Sequence, residues 1–225
     1  MAAFSRIEVT LEMNNSGIVP VFYNPDPEIC FEVAKACYAG GLRIFELTNR
    51  GDYAHEIFAW LNKKLAVECP GMIAGAGSVI DGPTAALYMQ LGANFIVSPT
   101  LHQEMAHICN LRKVLWIPGC GSATEISYAE RLGAEIVKIF PASQLGGPGF
   151  VKAVRGPRPW TSLMPSGGVE PTEENLDAWF SAGVHCVGMG SKLITKDILK
   201  NGDFRLLEEK VKDAVQILNK IRNKE

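Results

Sequence analysis

The chain has 225 residues, 47% of them hydrophobic and 20% charged, which is enough for one globular domain over residues 1–225 with a sizeable core. Its 22 basic and 24 acidic residues give a formal net charge of -2 without any basic block, which excludes electrostatic attraction to nucleic acid or an anionic membrane and favours small-molecule partners. The first residues lack the apolar run of a signal peptide and no stretch approaches about 18 uninterrupted apolar residues, so we expect a cytoplasmic, soluble protein.

Eight short apolar strands are predicted, spaced by roughly 20 to 28 residues, after a short N-terminal helix at about Phe4 to Asn15. The strand candidates are Ile18–Phe22, Ile44–Thr48, Met72–Ala76, Phe95–Ser98, Leu115–Pro118, Ile136–Phe140, Ser162–Pro165 and Cys186–Gly188. Amphipathic stretches lie between them, and three of these begin with helix-capping residues, Asp26, Asp81 and Thr172. A weak repeat places a glycine between a helix end and the next strand, within Ala39–Ile44, Leu91–Ile96, Leu132–Val137 and Ala182–Val187.

This repeated order of strand and helix favours an α/β fold, a closed (β/α)8 TIM barrel, with a C-terminal amphipathic helix at Phe204–Asn223 on the outside. An open, doubly wound sheet is the alternative. A dinucleotide-binding sheet of that kind would carry G-x-G-x-x-G after its first strand, whereas this strand ends in Val21–Pro25 and lacks the motif.

Lys138 lies in the middle of the apolar stretch Gly133–Pro141, which has the length and composition of a parallel strand buried on both faces. Burial disfavours the charged form of an amine, and a neutral lysine can attack a carbonyl to form a Schiff base. The alternative is a lysine at a strand end whose ammonium group reaches water or an ion pair. The stretch therefore makes Lys138 a candidate nucleophile.

Two charged residues belong to the second predicted strand and the turn after it. The alternation of side chains along a strand places Glu46 on the same face as Ile44 and Thr48, towards the barrel interior. A buried carboxylate needs a partner, and we expect Lys138 nearby; a purely structural Glu46–Lys138 pair is the alternative. Arg50 follows at the mouth of the strand, where it either clamps a carboxylate in a two-point contact or lies in solvent.

Glycine-rich turns follow the third, seventh and eighth predicted strands, at Gly75–Ser78, Ser166–Gly168 and Gly188–Ser191. In TIM barrels the loops after the last two strands commonly bind phosphate through backbone N–H groups. Glycines are also common in ordinary turns, so each turn alone says little. Together, the turns after the seventh and eighth strands predict an anion site.

Motifs for metal binding and for hydrolysis are missing from the sequence. The histidines have neither H-x-H nor H-E-x-x-H spacing, and the six cysteines form no C-x-x-C pair. No G-x-S-x-G turn is present. We therefore expect no metal and no cofactor, and we expect the cysteines to be reduced core residues.

Eight motifs taken together resemble the 2-dehydro-3-deoxy-phosphogluconate (KDPG) and 4-hydroxy-2-oxoglutarate (KHG) aldolases, which are class I, Schiff-base aldolases on a (β/α)8 barrel. The motifs cover nearly the whole chain and are Gly17–Val21, Glu46–Arg50, Gly75–Ser78, Val97–Pro99, Ile117–Gly119, Val137–Ala142, Pro165–Gly168 and Gly188–Ser191. The resemblance implies that Lys138 forms the imine with pyruvate and that Glu46 moves protons through a bound water. It also implies that Arg50 and the turn ending at Ser78 hold the pyruvate carboxylate.

The same resemblance assigns the remainder of the site. Pro99 and Phe140 would wall the pocket, while Gly167, Gly168 and Ser191 would receive the substrate phosphate. The substrate would be a keto acid, and the subunits would assemble as homotrimers. The implied reaction is cleavage of KDPG to pyruvate and glyceraldehyde 3-phosphate, with KHG, which gives pyruvate and glyoxylate, as a further substrate.

Several residues depart from the family's commonest pattern. Ser78 and Ser166 stand where threonine is frequent, Thr100 and the turn Cys120–Ala123 differ from the usual residues, and Tyr23–Asn24 replaces a basic residue that many members carry. These changes leave the reaction type standing but leave the aldehyde half of the substrate open, including the galactonate epimer of KDPG. Two further functions also fit the residues: a phosphosugar isomerase or epimerase on the same barrel, which would not need Lys138 as nucleophile, and a non-enzymatic phospho-ligand sensor.

Overall fold

Helices and strands alternate along the chain in a computed structural model that describes residues 2–223. The strands are β1 Ile18–Phe22, β2 Ile44–Thr48, β3 Ile73–Gly77, β4 Phe95–Val97, β5 Leu115–Ile117, β6 Gly119–Cys120, β7 Val137–Ile139, β8 Leu163–Pro165 and β9 Val187–Met189. The helices are α1 Arg6–Ser16, α2 Pro27–Ala39, α3 Ala54–Glu68, α4 Gly82–Gln90, α5 Gln103–Arg112, α6 Ala123–Arg131, α7 Gly147–Arg155, α8 Glu173–Phe180, α9 Lys196–Asn201 and α10 Phe204–Arg222. None of the helices in residues 2–223 is both long and apolar enough to cross a bilayer.

The strands form curled sheets in which every pairing is parallel. Six strands pair in the order β5-β4-β3-β2-β1-β9, and three pair in the order β6-β7-β8. A single parallel bridge between Ser166 and Gly188 joins the end of β8 to β9. The predicted parallel α/β fold is therefore confirmed, while closure of all strands into one barrel stays a prediction.

The fifth predicted strand, Leu115–Pro118, ends one residue earlier than predicted, at Ile117, and a further short strand that the sequence does not predict, β6, follows Pro118. Proline has no N–H group and therefore cannot donate to the ladder between strands. Its carbonyl still accepts a hydrogen bond of 2.9 Å from the backbone N–H of Lys138. The break separates the two sheets by one residue along the chain.

Capping explains where several helices begin and end. The side chains of Asp26, Asp81 and Thr172 accept hydrogen bonds from backbone N–H groups in the first turns of α2, α4 and α8, as the sequence predicts. After α6, Gly133 has φ of 91°, a left-handed conformation that glycine adopts without steric cost. Helix α9, which Thr195 caps, is not among the predicted elements because a helix of only 6 residues shows too little periodicity.

Two apolar clusters lie on opposite faces of the strands. The inner cluster contains Ile44 and Ile136 together with Val9 and Met13 of α1, whereas Phe45 and other side chains of the opposite face pack towards the surrounding helices. Alternation along β2 and through β7 then turns Glu46 and Lys138 to the inner side. The six cysteines are all buried and unpaired, as expected.

Candidate active site

Lys138 occupies the middle of β7, and its side chain is only 7% exposed. Its neighbours across the two ladders are Gly119 and Met164. No carboxylate oxygen of the described residues lies within 4.0 Å of its ammonium nitrogen. The ring of Phe140 lies close to the Lys138 nitrogen, with its centroid 5.2 Å from Nζ. Lys138 is thus a buried amine with an aromatic neighbour instead of an ion-pair partner.

Glu46 lies in the middle of β2 and is fully buried. Its carboxylate packs against the backbone of Gly77, where the carboxylate leaves no room for a side chain. Within residues 2–223 neither of its side-chain oxygens accepts a hydrogen bond. Burial raises the pKa of Glu46, and the positive charges of Lys138 and Arg50 only partly oppose this rise. Glu46 and Lys138 are therefore close enough to interact electrostatically, but they form no direct ion pair.

Arg50 lies just beyond β2, with its side chain exposed at the mouth of the site. Its Nε donates a hydrogen bond of 3.4 Å to Oγ of Ser78, which follows β3. Ser78 has φ of 56°, a left-handed conformation that costs a residue other than glycine roughly 1 kcal/mol. Because β2 pairs with β3 up to Thr48 and Gly77, the two polar side chains meet at the same edge of the sheet.

A cavity of about 220 Å³ opens beside Arg50 and Phe140. The turns after β8 and β9 supply much of its lining, including Gly167, Gly168 and Ser191. The two glycines have φ of 97° and 82°, so the bare backbone faces the cavity in a conformation that side chains disfavour. We call this space the glycine-turn cavity. Its size and backbone lining suit a compact anion.

Five of the nine residues singled out in the sequence therefore line one cavity. Lys138, Glu46, Ser78 and Pro99 are outside that lining. Ser78 contacts the lining residue Arg50 by accepting its hydrogen bond. Pro99 lies next to Gly119, which is the ladder partner of Lys138. The backbone carbonyl of Pro99 leaves no space for a side chain at Gly119.

Lys192 also lines the glycine-turn cavity, although no motif in the sequence selects it as a ligand residue. Its ammonium group forms an ion pair of 2.7 Å with Glu170. Its position directly after Ser191 was the available signal. No group of three or more His, Cys, Asp or Glu side chains suited to a metal ion occurs within residues 2–223.

Comparison with known proteins identifies the family of this chain. The family model described as "KDPG and KHG aldolase" matches residues 9–210. The chain is 34% identical over 198 residues to the 2-dehydro-3-deoxy-phosphogluconate aldolase of Pseudoalteromonas atlantica, covering 88% of this chain and 89% of the relative. It is 31% identical over 199 residues to the KHG/KDPG aldolase of Escherichia coli K12, covering 88% and 91%.

A solved structure with the same fold is the KDPG aldolase of Legionella pneumophila, in which pyruvate was captured at low pH as a covalent carbinolamine intermediate. The TM-score is 0.82 at 27% sequence identity, and the match covers 91% of this chain and 97% of the Legionella chain. Both the sequence relatives and this structure carry the same activity in their names. The chain therefore belongs to the KDPG and KHG aldolase family and is an aldolase, a carbon–carbon lyase.

Proposed function

We propose that this aldolase cleaves the C3–C4 bond of KDPG to give pyruvate and glyceraldehyde 3-phosphate through an imine on Lys138. The observation that carries the proposal is the burial of Lys138 without an ion-pair partner among the described residues, with Nζ 5.2 Å from the ring of Phe140, which lines the glycine-turn cavity. An amine in that position is free to attack a keto group whose phosphorylated end lies in the cavity. The carbinolamine captured in the Legionella relative supports this chemistry, because a carbinolamine precedes the imine.

The reaction balances with the groups of the chain and water, because the water lost on imine formation is taken up again when pyruvate is released. The amine of Lys138 adds to the C2 keto group and loses water, which gives a protonated imine. A base removes the proton of the C4 hydroxyl group, the C3–C4 bond breaks towards the imine, and the aldehyde departs from an enamine. The enamine takes a proton at C3, and water then releases pyruvate.

We assign the proton transfers to Glu46. A carboxyl group whose pKa is raised by burial holds and releases protons closer to neutral pH than an ordinary glutamate does. Without a direct contact between Glu46 and Lys138, a bound water would carry the proton between the carboxylate and the substrate. Glu46 acts as base for cleavage and as acid in the reverse direction.

The remaining residues bind the two ends of the substrate. Arg50 with Ser78 would hold the pyruvate carboxylate, for which the hydrogen bond between their side chains fixes the guanidinium group. Phe140 and Pro99 would form the apolar walls, and Gly167, Gly168 and Ser191 would bind the phosphate. KHG, which has no phosphate, would be a further substrate.

Borohydride trapping tests the imine directly. Reduction in the presence of pyruvate should add a stable mass to the peptide that contains Lys138, and mass spectrometry of a digest locates it. A mass increase on another lysine, such as Lys113, Lys152 or Lys192, would overturn the assignment. Parallel turnover assays with KDPG, its galactonate epimer and KHG then rank the three substrates.

We further propose that residues 1–225 form one closed (β/α)8 barrel and that the subunits associate as homotrimers. The bridge between Ser166 and Gly188 and the short interval between β5 and β6 support closure, since they bring the edges of the two sheets together. The trimer follows from the family resemblance. Light scattering during size-exclusion chromatography measures the mass of the assembly, and a monomeric mass would refute the trimer.

A further inference from the structure

A second cavity, of about 230 Å³, adjoins the glycine-turn cavity. The two cavities share three lining residues, Val21, Arg50 and Ser191. Tyr23, Thr48 and Lys196 line the second cavity alone, and we call it the Lys196 cavity. A group bound against Ser191 therefore has the glycine turns on one side and the Lys196 cavity on the other.

Positive charge dominates both spaces, because no acidic side chain of the described part of the chain lines either of them. Glu170 offsets the charge of Lys192, with which it forms an ion pair of 2.7 Å. Lys196 has no carboxylate oxygen within 4.0 Å among residues 2–223. Its charge, like that of Arg50, is available to a ligand.

The Lys196 cavity also has polar walls, which include Thr48 and Tyr23. Thr48 is only 3% exposed and donates its hydroxyl proton to the carbonyl of Phe22 at 3.4 Å. The ring of Tyr23 lies so close to Gly51 that a side chain at Gly51 would collide with it, and Tyr23 lines the cavity together with Arg50. Polar walls and two cations, Lys196 and Arg50, that have no carboxylate oxygen within 4.0 Å among residues 2–223 suit a small anionic group.

We propose that Lys196 is a specificity-determining residue, which attracts the phosphate end of the aldehyde half at Ser191 from the side opposite the glycine turns. The inference rests on the proposed function for the identity of the substrate. It adds a recognition residue on α9, beyond the nine singled out in the sequence. KHG ends at C5 in a carboxylate next to the reacting carbon, so its distal group would stay short of Lys196.

Binding of 3-phosphoglycerate, an unreactive phosphate and carboxylate compound, provides the first test. Calorimetric titration should show that Lys196→Gln weakens binding about three- to tenfold, the range for one charge in a partly exposed site. Lys200→Gln is the matched control, because Lys200 lies one turn later on α9 and lines neither cavity. It should bind like the wild type, and Lys196→Arg should restore most of the affinity.

The salt dependence of binding and the steady-state kinetics distinguish a role of Lys196 in phosphate binding from a purely structural role. The difference between the wild type and Lys196→Gln should shrink as salt is raised to about 1 M, where charges are screened within a few ångströms. In steady-state assays the variant should raise KM for KDPG with kcat unchanged and leave KM for KHG unchanged. Equal losses on both substrates, a salt-independent difference, or unaltered binding of 3-phosphoglycerate would overturn the role of Lys196.

The titration requires no turnover, so it decides the role of Lys196 even if the proposed reaction fails. Borohydride trapping with pyruvate reports on that reaction separately. Trapping at Lys138 in both the wild type and Lys196→Gln is expected, because pyruvate carries no phosphate. Loss of trapping in the variant would show that Lys196 acts on the pyruvate end, which contradicts the proposal.

Discussion

Replacing Glu46 with glutamine separates proton transfer from packing. Glutamine has nearly the same shape and fits the same space against Gly77, but it cannot take up or release a proton. We expect cleavage of KDPG to fall by roughly 10²- to 10⁴-fold, the usual range for loss of a general acid–base group. Some imine should still be trapped at Lys138 with borohydride, because the amine remains in place.

The same substitution should change stability in a direction opposite to activity. The folded-state pKa of Glu46 lies above its ordinary value of 4.5. The side chain therefore favours the folded state at pH values below 4.5, and this advantage is lost as the pH rises through the folded pKa. Each unit of that rise corresponds to about 1.4 kcal/mol. The glutamine variant escapes this cost, so it should gain stability relative to the wild type as the pH rises.

Two assays test whether Glu46 transfers protons and how its ionisation affects stability. Rates of cleavage are measured across pH for the wild type, Glu46→Gln and the control Glu209→Gln, which changes an exposed glutamate on α10. Urea denaturation at acidic and neutral pH gives the free energies of unfolding. If the folded variant cleaves KDPG within about threefold of the wild type at every pH, far less than the loss expected for a general base, Glu46 is only a structural neighbour of Lys138.

Three further outcomes are expected. Lys138→Arg should abolish turnover, since arginine stays protonated and forms no imine; residual cleavage above the rate without enzyme would contradict this, and circular dichroism checks the fold. Gly168→Leu should raise KM for KDPG far more than for KHG, because a side chain at φ 82° would crowd Ser143 and the phosphate site; equal losses would place the phosphate elsewhere. Exhaustive EDTA treatment should leave activity unchanged, since the imine serves as the electron sink; recovery of lost activity by a divalent ion would refute that.

Strand β2 shows how much of the structure the local sequence pattern can predict. Its predicted and observed bounds agree residue for residue, and the alternation of side chains along the strand is enough to predict that Glu46 points inward. The same reasoning identified Lys138, because a charged residue inside a β-branched run is conspicuous in any sequence. Local pattern failed at Pro118, where the missing N–H group outweighed the apolar composition.

Lys192 and Lys196 illustrate what a single sequence leaves out. Lysine is common on protein surfaces; the local sequence marks Lys192 only by its position directly after Ser191, and it does not mark Lys196 at all. Their place beside Val21 and Arg50 depends on the pairing of β1 with β9, which lie at opposite ends of the chain. Long-range pairing of this kind is set by the packing of the whole molecule.

The pairing of β1 with β9 also governs when the site forms during synthesis. Ile18 leaves the ribosome well before its ladder partner, Val187, which emerges only after strands β1 to β8. Until then β1 presents an unpaired edge, the kind of surface through which incomplete chains aggregate. The anion-binding turns after β8 and β9 are incomplete in such a chain as well. A nascent chain stalled before Val187 would therefore already contain Lys138 and Glu46, but it would lack part of the wall that receives the phosphate.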